Sequence, residues 1–387
     1  MLKFVGRRLV QMAFLFFLFL SLVFFLLQAQ PGDITSQFLN PEIPAEVREQ
    51  IIARLGLDGS IWNQWWNYVT NFFSGNLGVS FSQYPRPVID VIAERIPRTL
   101  FLFSFATLLS YVVGFSLGKR LAWKRGGFSE HAVTIGGVLL YTVFYPWFAV
   151  LMILFFASGL GWFPINGFLT PEFWRGAPLT GNEVFSMLLW TISAAALLAG
   201  ATAIIARRQK ERAGARWVRS IGYPATLLLF VGYWVARDEI RPYAWDIVHH
   251  SILPITTLAL IAFAGVMLLT RGSMLETLKE DYILTAQAKG VPDKDIRDKH
   301  AARNALLPVV TSFVLGLAFI IGGGVVTETV FSWPGMGSLL LTATVIEDVP
   351  LATGALGFVG VLALFAHLIV DILYAVLDPR IRIQTGN

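Results

Sequence analysis

Eight long apolar runs, at about 9–29, 98–118, 132–158, 184–206, 219–236, 251–270, 305–327 and 354–377, dominate this chain. About 20 apolar residues suffice for a helix to cross a hydrocarbon layer of about 30 Å. The chain is 55% hydrophobic and 14% charged, with a mean hydropathy of +0.63. Soluble domains carry about a quarter charged residues, so this one cannot bury its apolar surface in water. The runs predict an all-α polytopic membrane protein with about eight spanning helices, because backbone polar groups in lipid must be satisfied within the segment. The first run follows Lys3, Arg7 and Arg8. It exceeds the about 7–15 residues of a signal-peptide core, which makes it a retained anchor.

Charge sets the orientation. With the N-terminus in the cytoplasm, the segments 1–8, 119–131, 207–219, 271–304 and 378–387 all lie inside and hold 22 of the 30 Lys and Arg. That agrees with the excess of basic residues in cytoplasmic loops and places both termini inside. The same rule accounts for the net charge of +5 without invoking nucleic acid. The absence of cysteine excludes a disulfide scaffold, thiolate metal sites and cysteine catalysis.

Residues 30–97 are too polar and too punctuated by proline and glycine to read as membrane. Within them, 41–57 has the spacing of a short amphipathic helix, with Val47, Ile51 and Leu55 recurring. The aromatic cluster Trp62, Trp65, Trp66, Tyr68, Phe72 and Phe73 reads as an interfacial belt or a small core.

The most distinctive segment is Asp281–Pro308, DYILTAQAKGVPDKDIRDKHAARNALLP. From Arg271 to Asn304 there are seven Lys or Arg and six Asp or Glu. Such a segment must lie outside the hydrocarbon, and its balanced charge suits a folded protein surface better than lipid headgroups or nucleic acid. The spacing predicts a helix over 276–289 with Leu275, Leu278, Tyr282 and Ala286 on one side. Gly290 supplies a left-handed cap and Pro292 blocks continuation. Asp293 and Asp295 then start a new helix, whose end suits Lys299, His300 and Arg303.

This segment resembles the cytoplasmic coupling loop of ATP-binding-cassette importer permeases, closest to the dipeptide and oligopeptide class. The matching positions are Asp281, Tyr282, Thr285, Ala286, Ala288, Lys289, Gly290, His300, Arg303, Asn304 and Pro308. Further blocks extend the resemblance over nearly the whole chain: Pro31-Gly32-Asp33, Leu55–Asp58, Gly75–Gly78, Arg86-Pro87-Val88, Arg95–Leu100, Gly161–Pro164, Glu328–Gly337 and Asp371–Arg382. The resemblance implies a type I permease-like helix bundle and a B-type subunit of the prokaryotic inner membrane. It implies pairing with a second, C-type permease and two ATPases, with delivery of substrate by an extracytoplasmic binding protein. It also implies that residues 281–308 couple this chain to the ATPases. The ATP and magnesium belong to those ATPases, and no cofactor or metal to this chain.

The usual member has six spans. The expected organisation here is 1–29 as tail and first helix, 30–97 as an extracytoplasmic region, 98–174 as two spans with an outer loop, 175–237 as an inserted helical hairpin, and 238–387 as permease core carrying the coupling loop 271–304. Glu328, Phe331, Trp333, Pro334 and Gly335, after Gly322-Gly323-Gly324, are a candidate outer gate. Gly114 and Gly118 mark close helix approach. His249 and His250 are adjacent and point different ways on a helix. His367 and Asp371, four apart in the last run, could share a face. No phosphate-binding loop motif or catalytic constellation is present, so any pumping draws its energy from a partner. Nickel, glutathione and oligosaccharide permeases belong to the same subclass and remain alternatives for the solute. A stand-alone secondary transporter is the alternative from another class. It would require coupling residues or broken, repeated helices at the midplane.

Overall fold

The computed structural model describes residues 2–29, 60–124, 126–209, 212–320 and 324–377. The expected helix at 41–57, the blocks at 31–33 and 55–58, Gly322, Gly323 and the end of the 371–382 block lie outside the described residues. Among the described residues the regular structure is helical, apart from one isolated bridge, Val79 to Pro87. It forms two compact units, residues 1–150 with 255–387, and residues 151–254.

In chain order, α1 is Leu2–Gln28, α2 Ile61–Phe73, α3 Val88–Trp123, α4 Phe128–Thr142 and α5 Tyr145–Met152, the last continuing as a π-helix to Gly159. The second unit holds α6, Gly181–Arg208, and α7, Arg212–Val235. There follow α8 Arg241–Thr277, α9 Asp281–Ala288, the single turn α10 Asp293–Asp295 with a π-helical stretch Ile296–Ala301, α11 Ala302–Ile320, α12 Val325–Val330, α13 Met336–Val345 and α14 Val349–Leu377.

Every predicted apolar run carries helix, but the spans differ from the expected eight. Five described helices are long and apolar enough to cross a membrane: α1, α3, α6, α8 and α14. The run at 132–158 is not one straight span. It breaks after Thr142, and its two halves meet at 108°. Pro146 explains the break, since proline is favoured in the first turn of a helix and bars continuation from the preceding one. Counting that pair, the number is six. The helix α7 opens with Arg212, Arg216 and Arg219 and carries Pro224, so its apolar part is short. The helix α11 is described for 19 residues and includes Arg303.

Small residues decide how closely the long helices approach. A Cβ on Gly114 would lie 2.7 Å from the carbonyl oxygen of Phe263, and one on Gly118 would lie 2.6 Å from that of Met267. These two glycines let α3 lie directly on α8, as their spacing predicts. At the N-terminal end of α3, Val88, Val91 and Ile92 pack with Met336, Leu339 and Leu351. Asp348 caps α14 through Leu351 N (3.2 Å) and ties down the turn that precedes α3 through Ser80 Oγ (2.6 Å), Ser82 N (2.9 Å) and Ser82 Oγ (2.7 Å). Asp371 pairs with Arg8 at 3.2 Å, while His367 Nδ1 bonds the carbonyl of Ala363. The two residues that could have met on one face therefore hold separate partners.

In the second unit, Thr180 and Glu183 form a reciprocal cap at the start of α6, and α6 packs on α7 with Gly222 against Thr202. His249 and His250 also diverge, to the carbonyls of Trp162 (2.9 Å) and Asp246 (2.8 Å).

Candidate functional site

The charged segment folds as a compact turn. The helix α9 begins at Asp281, not at 276, because α8 runs on to Thr277 and the chain turns over 278–280. The packed side also differs from the expected one: Ile283 and Ala286 are buried, whereas Tyr282 is exposed. Leu275 and Leu278 do pack against the same cluster, which contains Ala122, Met274, Ile283, Ala286, Ile296, Ala301, Ala302 and Ala305. Four of its alanines, Ala286, Ala301, Ala302 and Ala305, lie on α9, the π-helical stretch and α11, and their small size leaves room between these elements for the buried Ile283 and Ile296.

The turn closes as expected at Gly290, whose φ is +69°. Val291 N donates to the carbonyl of Ala286 (3.2 Å) and Gly290 N to that of Gln287 (2.9 Å). This is the paired hydrogen bonding of a Schellman cap, with the left-handed residue at the first position beyond the helix. Pro292 then sets the start of α10, and Asp293 and Asp295 fall in its first turn.

Electrostatics fix the second half. Arg297 grips Asp298 through Nε (3.0 Å) and Nη2 (2.9 Å), and Lys119, near the end of α3, reaches Asp298 at 3.0 Å. The Arg297 hydrogen bonds, then Lys119, hold the Asp298 carboxyl well below the usual carboxylate range. Its contribution to stability is therefore present at neutral pH and lost only as pH falls below that range. Both Lys119 and Asp298 are partly exposed, and such pairs contribute about 0.2–1 kcal/mol. A double-mutant cycle of Lys119→Ala and Asp298→Asn, read by thermal unfolding, is expected to return a coupling in that range; additive single effects would contradict the contact.

The other predicted coupling residues divide clearly. Asp281, Tyr282, Thr285, Ala288, Lys289, Gly290, His300, Arg303, Asn304 and Pro308 are exposed, and Ala286 is not. Tyr282 and Asn304, far apart in sequence, meet through Asn304 Nδ2 at 2.8 Å. Leu284, 59% exposed, stands among them, a residue the motif did not single out. Lys119 was equally invisible as a partner, since nothing in a linear pattern links positions 119 and 298.

The candidate gate residues lie together in one hydrogen-bonded cluster. Glu328, Phe331, Trp333 and Gly335 are buried and Pro334 is half-buried. Thr99 Oγ1 donates to Glu328 Oε1 (2.7 Å) and accepts from Met336 N (2.8 Å). Ser338 N donates to Glu328 Oε2 (2.9 Å), and Trp333 Nε1 donates to the carbonyl of Arg98 (3.2 Å). Arg98 also bonds Glu94, which pairs with Arg86 on its other oxygen. A Cβ on Gly335 would lie 2.3 Å from Glu328 Oε1. These residues form a joint that clamps the α12–α13 turn to the N-terminal part of α3. The sequence block Arg95–Leu100 held half of that joint without revealing it.

The sequence has a match among known families. Residues 110–383 fit the binding-protein-dependent transport system inner membrane component, and residues 1–103 fit the N-terminal component of such membrane proteins. The chain belongs to this family. It is similar to the di/tripeptide transport system permease protein DppB of Pseudomonas aeruginosa, at 31% identity over 99% of this chain and 100% of the relative. It is 29% identical to the oligopeptide transport system permease protein AppB of Bacillus subtilis, over 93% of each. It is also 29% identical to the glutathione transport system permease protein GsiC of Escherichia coli, over 99% of each. Membership makes this chain a multi-pass inner membrane permease, and the Asp281–Pro308 turn is a feature of this permease family member.

Proposed function

We propose that the chain is a pore-forming membrane subunit of an ATP-binding-cassette importer that carries di- and oligopeptides inward. It is not itself an enzyme: its sequence holds no phosphate-binding loop motif, and ATP with magnesium belongs to two partner ATPases. A second, homologous permease completes the pathway, and an extracytoplasmic binding protein supplies the substrate. Both termini and the 281–308 turn face the cytoplasm.

The observation that carries this reading is the exposed turn itself. It presents a narrow helix with balanced charge and an exposed leucine, closed by a rigid glycine cap and rooted in the two long helices on either side. Such a knob suits a cleft on another folded protein. Closure of the ATPases would move it, and α8 and α11 would carry the motion into the bundle. The peptide class rests on the full-length similarity to the di/tripeptide and oligopeptide relatives. A glutathione carrier of the same subunit type is the second reading, favoured by the equally extensive match to that relative. The hairpin of α6 and α7 is an addition to the core whose exposed Trp190, Leu197 and Leu228 face lipid.

Affinity capture of the tagged chain from detergent-solubilised native membranes tests the assignment. Two ATPases bearing phosphate-binding loops and a related permease are expected to co-purify. A stable species without any ATPase would overturn the reading in favour of a stand-alone transporter.

A further inference from the structure

The helix α2 carries the aromatic cluster that the sequence marks as an interfacial belt or a small core. It lies along α1, with its start against Phe25 and its end against Phe16. Trp62 meets Phe25 (6.0 Å between ring centroids), Tyr68 meets Phe24 (5.7 Å), and Phe72 and Phe73 meet Phe16 (5.3 and 5.8 Å). Trp65 Nε1 donates to Ser21 Oγ at 3.0 Å. On its far side Phe72 presses on Gly357 of α14, where an added Cβ would lie 2.3 Å away. The helix therefore descends antiparallel to α1. Its start lies near the outer end of α1 and its tip at Phe16, the middle of the Gly6–Leu26 span. At 1.5 Å per residue, Phe25 to Phe16 is a descent of about 14 Å, close to half of a 30 Å hydrocarbon layer.

We infer that α2 is a re-entrant helix seated in the outer leaflet, and that acyl chains cover its free face. Three observations select lipid as the occupant. First, residues 59–85 contain no Asp, Glu, Lys or Arg, which a helix in water has no reason to avoid. Second, the free face is an apolar stripe: Trp62 is 68%, Trp66 56% and Phe73 62% exposed, and positions 62, 66 and 73 fall on one side of a helix. Third, the stripe joins the lipid-facing side of α1, since Phe25, itself exposed, touches Trp62. Asn63, Asn67 and Asn71 lie on a different side of α2 from the stripe, so lipid meets the apolar side alone. Indole rings near the start and phenyl rings at the tip also follow the depth preference of aromatic residues, with tryptophan at the interface.

The absence of cysteine from this chain makes the test direct. Nitroxide labels are placed singly through Trp62→Cys, Trp66→Cys and Phe73→Cys. Thr70→Cys, beside the stripe, serves as a milder variant. The full chain is reconstituted with its co-purifying subunits in phosphatidylglycerol–phosphatidylethanolamine vesicles. Collision with oxygen and with a water-soluble nickel chelate is then read by power-saturation electron paramagnetic resonance. The ratio of oxygen to nickel collisions is expected to rise severalfold from position 62 to position 73, with position 70 between them. Equal nickel access at 62, 70 and 73 would place the helix in water and overturn the inference. Loss of both collisions at 66, 70 and 73 would overturn it too, by showing the face covered by protein.

Discussion

Gly290→Val is expected to separate ATP hydrolysis from transport. At φ +69° a side chain with Cβ meets the following carbonyl, which costs about 1–2 kcal/mol for an ordinary residue and more for a β-branched one. A Cβ there would touch nothing within 4 Å, so the penalty is purely one of backbone conformation. The chain relieves it by abandoning the cap, which removes the hydrogen bonds from Gly290 and Val291 and with them the shape of the knob. Peptide uptake into proteoliposomes should fall by at least tenfold while basal phosphate release persists. Gly290→Asn, which tolerates the left-handed region, should retain most of the uptake. Normal transport by the valine variant would refute a mechanical role for this turn.

Trp333→Ala should be the most destabilising single substitution at the joint between α3 and the α12–α13 turn. The side chain is fully buried, and removal of a buried tryptophan costs about 3–5 kcal/mol. The loss extends further here, because the carbonyl of Arg98 loses its indole donor and the neighbouring Ser332 already sits at φ +50°. The apparent melting temperature of the purified complex should drop sharply, and Trp333→Phe should recover part of the loss. An unchanged melting temperature for the alanine variant would show that this joint contributes little to stability.

How legible this was in the sequence varied with the kind of physics involved. Local chemistry read well. Gly290 followed by Pro292 announced a capped turn, and Gly114 with Gly118 announced a close crossing, because each depends on residues a few positions apart. Helix boundaries read less well. The charged stretch after Thr277 looked like continuous helix because Lys279 and Glu280 are helix formers, and only the packing of Ile283 in place of Tyr282 moved the start to Asp281. The break after Thr142 was concealed by uninterrupted apolarity, although Pro146 carried the signal. Contacts between distant segments were hidden altogether. Thr99 with Glu328, Lys119 with Asp298 and Trp65 with Ser21 depend on tertiary packing that no periodicity encodes. The aromatic run of α2 illustrates the limit: its composition pointed to a membrane interface, but its depth depends on which residues of α1 it touches.

The helix α3 carries both of the features on which this protein's working parts depend, Lys119 near one end and Thr99 towards the other. Twenty residues of helix separate them, about 30 Å, and the glycine contacts with α8 give the shaft a fixed bearing. A rod held in this way behaves as a lever. Turning it by about 5° about one end would displace the other by roughly 3 Å over that length, enough to break the hydrogen bonds around Glu328, which tolerate only a few tenths of an ångström. Under the proposed orientation, a displacement of the charged turn would reach the Glu328 joint as a discrete release, with no relay of side chains in between.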